Sequence, residues 1–243
     1  MNRLKATMLC TFSLAKGRII GLLIMQIVTA FIFFQTSSVI EAYDFILDGD
    51  IFVVLYLFVF GIIYFGKHSA FCIFNSVSEK YRVYSLLAVT ASISLLAALL
   101  NTTAHAFLEV KVSFSSIELF RFLVIGGVLP YNNIAATLVE NIFFYISVIV
   151  TGYFLGSIRM KKGDGFTLLM LLISAAVVFG FAWLGTITVS PAAWLCILPA
   201  IMLRTRVTAI LLYIIITAVL GFLIHLIFNG TTTIFRRDKN ENA

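Results

Sequence analysis

Six long apolar segments recur along this 243-residue chain, and charged or turn-forming residues separate most of them. An α-helix rises about 1.5 Å per residue, so roughly 20 apolar residues cross the hydrocarbon core of a bilayer. The segments that reach or approach this length predict six transmembrane helices: Ile19–Ile40, Ile51–Phe65, Tyr84–Leu100, Ile134–Leu155, Phe166–Leu184 and Val207–Phe228. The pattern therefore predicts an all-α integral membrane protein, with a single membrane domain over residues 1–243.

The stretch Gly165–Leu203 carries no charge over 39 residues and is the hardest part of the pattern to divide. As a single helix it would measure about 58 Å, nearly twice the bilayer core, and it is slightly short for two crossings with a turn. Pro191 and Pro199 interrupt its second half. Its length and prolines favour one crossing followed by a re-entrant hairpin over residues 188–206, and a seventh crossing is the alternative.

The residues before the first apolar segment also follow a helical period. Leu4, Met8, Phe12 and Ala15 repeat at that spacing, and basic residues are available for the opposite side. This pattern predicts an amphipathic interfacial helix over residues 1–18 that lies along the inner leaflet. The alternative is a basic leader that only sets the orientation of the first crossing.

Composition supports the membrane assignment and excludes other classes. The chain is 61% hydrophobic and 12% charged, and it contains 24 Phe residues. A soluble core of this size has no room for so many aromatic side chains, whereas membrane lipid accepts them. The net charge of +6 comes from bases spread over several clusters, without the basic stripe of a nucleic-acid-binding protein. We therefore expect membrane lipid around the chain and no nucleic-acid partner.

The signs of the charges orient the predicted helices. The segment between the first two crossings is purely acidic, whereas the segments before and after this pair of crossings are mostly basic. Bases collect on the cytoplasmic side of a membrane, so we expect a multi-pass protein of the cytoplasmic membrane with both termini in the cytoplasm. Within the six apolar segments this reading places a single charge, Glu140.

Glu140 and its neighbour Asn141 are candidates for a translocation path. An ionisable residue inside a membrane is costly and by default suggests a functional site, such as a substrate contact or a gate. The alternative is that the fourth helix begins nearer Leu138, which would leave Glu140 at the level of the lipid headgroups. In the same segment, Gly152 and Gly156 form a small-xxx-small pair, which favours close helix packing within the chain over dimerisation.

Motifs for enzymatic chemistry are absent from the sequence. No Gly-x4-Gly-Lys-Ser/Thr string occurs, so the chain has no P-loop for nucleotide phosphates. The three His residues are scattered, no HExxH string occurs, and the three Cys residues form no C-x-x-C pair. We therefore expect no catalytic site, no metal site and no cofactor in this chain.

The segment 66–82, between the second and third crossings, has the clearest local signals among the predicted cytoplasmic elements. Ser76 and Glu79 have the S-x-x-E spacing of a capping box, which predicts a helix that begins near Val77. A short apolar piece precedes the box: Phe71, Ile73 and Phe74. Apolar residues at a cytoplasmic surface suggest contact with a partner protein, and burial in the inner leaflet is the alternative.

The same segment resembles a motif of the permease subunits of type-2 ABC exporters. Many bacterial members read Asn-Gly-Val-Ser-Arg-Lys followed by an aromatic residue, and residues 75–81 here read Asn-Ser-Val-Ser-Glu-Lys-Tyr. Ser76 replaces Gly and Glu79 replaces Arg, whereas the other positions match. The predicted arrangement of the whole chain and the late pair Arg236-Arg237 are also similar to that family.

The resemblance implies the membrane-spanning subunit of an ATP-driven exporter, without its own ATPase site. Because the apolar wall of the predicted path offers few polar groups, we expect an amphipathic or hydrophobic substrate, peptide or lipid-like, that crosses the cytoplasmic membrane. The resemblance also implies two partners, a cytoplasmic P-loop ATPase subunit that holds the ATP and a second permease subunit, identical or different. The ATPase would dock on a cytoplasmic coupling loop at residues 66–82, with these docking candidates: Phe71, Phe74, Asn75, Val77, Ser78, Lys80 and Tyr81.

Two other classes compete with an exporter subunit. A membrane scaffold or sensor that transports nothing could anchor partners through the same segment, and it is the main alternative. A secondary transporter normally shows internal repeats with interrupted helices in both halves, whereas this chain has a broken apolar segment only near its end.

Overall fold

The computed structural model describes residues 3–37, 50–108, 134–169, 171–172 and 206–241. Within these residues the protein is helical apart from short turns. Its long helices are α1 (Arg3–Ser37), α2 (Asp50–Phe74), α3 (Glu79–Leu108), α4 (Ile134–Lys162) and α5 (Arg206–Glu241). Residues 164–169 and 171–172 are also helical. Most of the fifth predicted crossing, and the predicted hairpin before residue 206, lie outside the described residues.

Each of the five long helices contains a stretch that is long and apolar enough to cross a membrane. A helix satisfies its own backbone hydrogen bonds, which a chain surrounded by lipid requires. Large apolar side chains are exposed on the outside of the bundle, for example Leu55, Leu87, Leu169 and Leu211. The prediction of an all-helical protein is confirmed for the described residues, and the long apolar helices are compatible with a multi-pass membrane protein.

Helix α1 differs from the expectation for the amino terminus. It runs without interruption from Arg3 to Ser37, whereas the sequence predicted an interfacial helix over residues 1–18 and a separate crossing from Ile19. Gly17 costs only about 1 kcal/mol inside a helix, and Lys and Arg are good helix formers, so the local sequence has no signal that ends the helix here. The part of α1 suited to crossing is Ala6–Met25, which includes Lys16 and Arg18.

Helix α1 packs antiparallel on α2. The Tyr64 hydroxyl donates a 3.2 Å hydrogen bond to the carbonyl oxygen of Thr11, and the Tyr56 hydroxyl donates a 2.5 Å hydrogen bond to the carbonyl oxygen of Arg18. This pairing sets Lys16 and Arg18 beside the middle of α2. The sequence predicted both bases before the first crossing, whereas the packing places them within the length of the bundle.

The contact between α2 and α4 depends on glycine. A Cβ atom on Gly61 would lie 2.5 Å from the carbonyl oxygen of Ile149 and 2.9 Å from the Cα atom of Gly152. A Cβ atom on Gly156 would lie 2.7 Å from the carbonyl oxygen of Ile62. Only glycine allows two backbones to approach this closely. The predicted packing of Gly152 and Gly156 within the chain is confirmed.

Buried polar side chains join α3 to α4. The hydroxyl groups of Thr90 and Tyr153 lie 2.9 Å apart, and Asn101 Nδ2 donates a 2.9 Å hydrogen bond to the Tyr145 hydroxyl. From Thr90 to Asn101 the residue numbers rise along α3, whereas those of their partners fall along α4 from Tyr153 to Tyr145. These helices are therefore antiparallel. Each bond satisfies polar groups that would otherwise be costly in an apolar bundle.

Helix α5 runs parallel to α4. Arg206 is the first residue of α5, and its Nη1 donates a 2.8 Å hydrogen bond to Thr137 Oγ1 in the first turn of α4. At the opposite end of the bundle, His225 Nδ1 lies 3.1 Å from Glu79 Oε1, at the first residue of α3. The chain that connects α4 to α5 therefore starts at one end of the bundle and finishes at the other.

A glycine cap ends α4. Gly163 has a φ of 84°, and its N–H donates a 2.9 Å hydrogen bond to the carbonyl oxygen of Arg159. Asp164 Oδ1 then accepts a 2.5 Å hydrogen bond from Arg159 Nε. This hydrogen bond, together with the positive charge of the guanidinium, holds the pKa of Asp164 below its ordinary value. The three bases of the last turn complement the negative end of the helix dipole: Arg159, Lys161 and Lys162.

Candidate functional site

The candidate residues lie at opposite ends of the bundle. The docking candidates surround the connection between α2 and α3, and we call residues 71–81 the α2–α3 turn. The candidates for a translocation path lie at the other end, in a group of polar side chains that we call the polar cluster: Thr102, Thr137, Glu140, Asn141 and Arg206.

The α2–α3 turn closes in a Schellman motif, in which a residue with positive φ ends a helix. The Ser76 N–H donates a 3.1 Å hydrogen bond to the carbonyl oxygen of Ile73, and the Val77 N–H donates a 2.9 Å bond to the carbonyl oxygen of Cys72. Ser76 has a φ of 50°, in the left-handed region that favours glycine. This conformation is a physical reason for a glycine at this position in the motif that the turn resembles.

The predicted capping box at Ser76 and Glu79 is wrong. Helix α3 begins at Glu79, and the Arg82 N–H donates its 3.1 Å hydrogen bond to the carbonyl oxygen of Ser78. Ser78 is therefore the N-cap, and Ser76 instead terminates α2. The segment 66–82 is also not a long loop, because α2 continues to Phe74 and the connection contains four residues.

Replacing Ser76 with glycine is expected to raise the free energy of unfolding by about 1 kcal/mol, because glycine adopts a positive φ without a Cβ clash. The Ser76 side chain is exposed, so the substitution removes no buried contact. Thermal unfolding in detergent micelles measures the gain. Asn75→Gly is the matched control and should lower stability, because it loses the hydrogen bond from Asn75 Nδ2 to the carbonyl oxygen of Phe71 (2.8 Å). A gain in both variants would contradict this account.

The docking candidates lie at the α2–α3 turn, from which one aromatic ring protrudes. The Phe74 residue is 87% exposed, the highest value among the large apolar residues whose burial the structure describes. Three polar candidates are also exposed: Asn75, Ser78 and Lys80. The other three are half-buried: Phe71, Val77 and Tyr81. The structure therefore presents one exposed apolar side chain, Phe74, among polar neighbours at the end of two long helices.

Positive charge exceeds negative charge at the α2–α3 turn. The Glu79 carboxylate lies 3.8 Å from Arg82 Nη2 and 3.1 Å from His225 Nδ1, so the Arg82 guanidinium offsets its negative charge. The Lys80 ammonium lies 5.8 Å from the centroid of the Tyr84 ring and remains exposed. The net effect is a positive surface beside Phe74, which suits an acidic partner surface.

The polar cluster joins three helices. Glu140 Oε2 lies 4.0 Å from Arg206 Nε, and the side chains of the two residues are 4% and 20% exposed. Arg206 also donates to Thr137, and Asn141 Nδ2 lies 3.5 Å from Thr102 Oγ1. Both translocation-path candidates are thus buried against neighbouring helices. The carboxylate and the guanidinium link α4 to α5, and Asn141 links α4 to α3.

Sequence reasoning selected Glu140 and Asn141 but missed their partners. Asn101 and Thr102 directly follow the third apolar segment, and Arg206 directly precedes the last one. Polar residues at the ends of apolar segments are therefore the sequence signal for these partners. The signal is weak, because such residues usually face headgroups rather than one another.

A second buried polar group lies nearer the α2–α3 turn. His68 Nε2 lies 2.9 Å from Ser85 Oγ, and Ser85 Oγ donates a 2.9 Å hydrogen bond to the carbonyl oxygen of Arg82. Ser85 has then used its hydrogen, so His68 Nε2 carries the proton between them. Both side chains have 0% exposure, and no hydrogen-bond partner orients His68 Nδ1 in the described part of the chain. The pair therefore stabilises α2 against α3 and has no access for a substrate.

The described helices contain no group of three or more His, Cys, Asp or Glu side chains that could hold a metal ion. Cys10 and Cys72 are both free thiols. No protein-family model, curated protein or solved structure matches the chain. The likeness to type-2 ABC permeases therefore stays a prediction, which depends on residues 75–81 and on the arrangement of the apolar segments.

Proposed function

We propose that this chain is the membrane-spanning subunit of an ATP-driven exporter of the type-2 ABC class. Its substrate would be amphipathic or hydrophobic, a peptide or a lipid-like molecule. The observation that carries the proposal is the α2–α3 turn, which presents Phe74 and Lys80 at the end of two long helices. An exposed aromatic ring beside a positive charge is a suitable anchor for a partner protein.

The connections of the turn suit the transmission of force. The Schellman motif and the N-cap at Ser78 join α2 to α3 through only four residues, so a load on the turn reaches both helices. Helix α2 in turn contacts α4 through Gly61 and Gly152. A partner that moves the turn would therefore move α2, α3 and α4, and the polar cluster lies at the far end of α3 and α4.

Charge supports the orientation of the proposed subunit. The end of the bundle that holds the α2–α3 turn also carries most bases of the described helices, including Lys67, Arg82, Arg159 and Lys161. The positive-inside rule assigns this end to the cytoplasm, where an ATPase subunit would bind. ATP would bind to that subunit, and a second permease subunit, identical or different, would complete the path in the cytoplasmic membrane.

The parallel course of α4 and α5 supports six crossings rather than seven. With six, the fourth and sixth crossings run in the same direction, and with seven the last crossing runs opposite to the fourth. The contacts of Arg206 with Thr137 and of His225 with Glu79 agree with the first arrangement. We therefore retain the proposed re-entrant hairpin at 188–206 and a cytoplasmic carboxyl terminus.

Co-purification from native membranes tests the proposal. The wild-type chain is expected to recover a P-loop ATPase, and the double variant Phe74→Ala/Lys80→Ala is expected to reduce that recovery at least about tenfold, because exposed aromatic and charged anchors dominate binding. Phe222→Ala is the matched control, since Phe222 is 61% exposed on α5. Both replaced side chains of the double variant are exposed, so its thermal midpoint should equal that of the wild type.

Failure to recover an ATPase with the wild type would contradict the exporter proposal. Equal recovery with the wild type and the double variant would exclude the α2–α3 turn as the docking surface. Recovery of a partner without ATPase activity, lost in the double variant, would replace the exporter with a membrane scaffold or sensor that uses the same surface.

A further inference from the structure

Arg18 lies at mid-height of the bundle, although it is a charged residue. Its guanidinium carbon is 5.9 Å from the centroid of the Phe60 ring. Phe60 follows Asp50 by ten residues and precedes Phe74 by fourteen, which places it roughly 15 Å and 21 Å from the two ends of α2. A cation at this depth in a membrane protein normally marks a functional site.

The protein leaves this guanidinium only partly compensated. Nη1 of Arg18 is buried and has no hydrogen-bond partner in the described part of the chain. The nearby groups are aromatic, since the Phe60 ring lies beneath the guanidinium and the Tyr56 hydroxyl donates to the Arg18 carbonyl oxygen. The stabilisation from a cation–π contact is smaller than the free-energy cost of burying a charge without a hydrogen-bonded partner.

We propose that Arg18 binds the anionic group, phosphate or carboxylate, of a membrane amphiphile. A guanidinium forms paired hydrogen bonds with both kinds of group, and the Arg18 residue is only half-buried. The depth of the site favours an anion that carries an acyl or alkyl chain, because apolar surface surrounds it and a free inorganic anion would have to shed its water without compensation. The site is independent of any ATPase, so it goes beyond the exporter proposal.

Thermal unfolding of the full-length protein in maltoside micelles tests the site, with dodecyl phosphate as the probe. At a concentration about 100 times the Kd, the wild-type midpoint should rise by roughly 5–10 °C. Arg18→Gln should abolish the rise. Lys161→Gln is the matched control, since Lys161 is an exposed base at one end of the bundle, and it should retain the rise. An equal rise in Arg18→Gln, or its loss in Lys161→Gln, would overturn the proposal.

Two further measurements separate this site from simpler explanations. Inorganic phosphate alone should leave the wild-type midpoint unchanged, and a rise equal to that with dodecyl phosphate would overturn the requirement for an amphiphile. Without any probe, Arg18→Gln should match or exceed the wild-type midpoint, because it removes an unpaired buried nitrogen. A marked fall without the probe would instead assign Arg18 a structural role and overturn the binding site.

Discussion

Replacing Gly152 with leucine is expected to lower the free energy of unfolding by about 3 kcal/mol or more. Any Cβ atom at this position would lie 2.9 Å from the Cα atom of Gly61 and closer still to the carbonyl oxygen of Phe58. Because these are backbone atoms, no change of rotamer relieves the overlap, and α2 and α4 have to separate. The midpoint of unfolding by sodium dodecyl sulfate, followed by circular dichroism, measures the loss.

Gly66→Ala is the control for the glycine contact. Gly66 is also on α2, but a Cβ atom there meets nothing within 4 Å. Alanine is a better helix former than glycine, so this variant should gain about 0.5–1 kcal/mol. Gly152→Ala should fall between the two, since it adds the clashing Cβ without the rest of the leucine side chain. Unfolding of Gly152→Leu at the wild-type midpoint would show that close backbone contact is not what holds α2 to α4.

Much of the helical framework could be predicted from the apolar pattern, because lipid and core both demand apolar side chains in long runs. The segments at Ile51–Phe65, Tyr84–Leu100, Ile134–Leu155 and Val207–Phe228 all fall inside observed helices. The helices are longer than the segments, since they also include polar residues beyond the apolar runs. His68, for example, lies beyond the second segment yet has 0% exposure within α2. A hydropathy pattern does not distinguish such a residue from one in a loop.

The packing of the amino-terminal bases could not be predicted from the sequence for a different reason. Charge alone assigned Lys16 and Arg18 to a position before the first crossing, since a cation in lipid is costly. In the structure, the Arg18 guanidinium lies over an aromatic ring of α2, and Tyr56 secures that register through the Arg18 carbonyl oxygen. A rule based on the average cost of a charge in lipid does not take tertiary contacts of this kind into account.

The candidate site was predicted unevenly. The α2–α3 turn was located from local sequence, because a turn and its flanking residues are contiguous, although the role of Ser76 was reversed. Glu140 was selected because a lone acid in an apolar run is conspicuous. Its neighbour Arg206 was not found, since their contact requires α5 to run parallel to α4, and the apolar pattern left open the number of crossings between them.

Removing the guanidinium of Arg206 is expected to cost more than removing the carboxylate of Glu140. Arg206→Ala leaves a carboxylate with 4% exposure without that positive neighbour, whereas Glu140→Ala leaves a guanidinium that is 20% exposed and still donates to Thr137. Breaking a buried pair costs about 3–5 kcal/mol, and the 4.0 Å separation places Arg206→Ala near the lower limit. Glu140→Ala should cost about half as much, because the remaining charge can reach polar surroundings.

Glu140→Gln in the Arg206→Ala background decides whether charge is the cause. If the loss of the Arg206 charge beside the buried carboxylate is what destabilises Arg206→Ala, the double variant should recover about 1–2 kcal/mol in the free energy of unfolding, as expected for coupled neighbours. Glu79→Gln is the control for a half-exposed acid, and it should cost less than about 1 kcal/mol despite its contacts with Arg82 and His225. Additive effects of the two substitutions would mean that packing of α5 on α4, rather than the ion pair, gives Arg206 its importance. Recovery in the double variant would show that the polar cluster holds α4 and α5 together electrostatically.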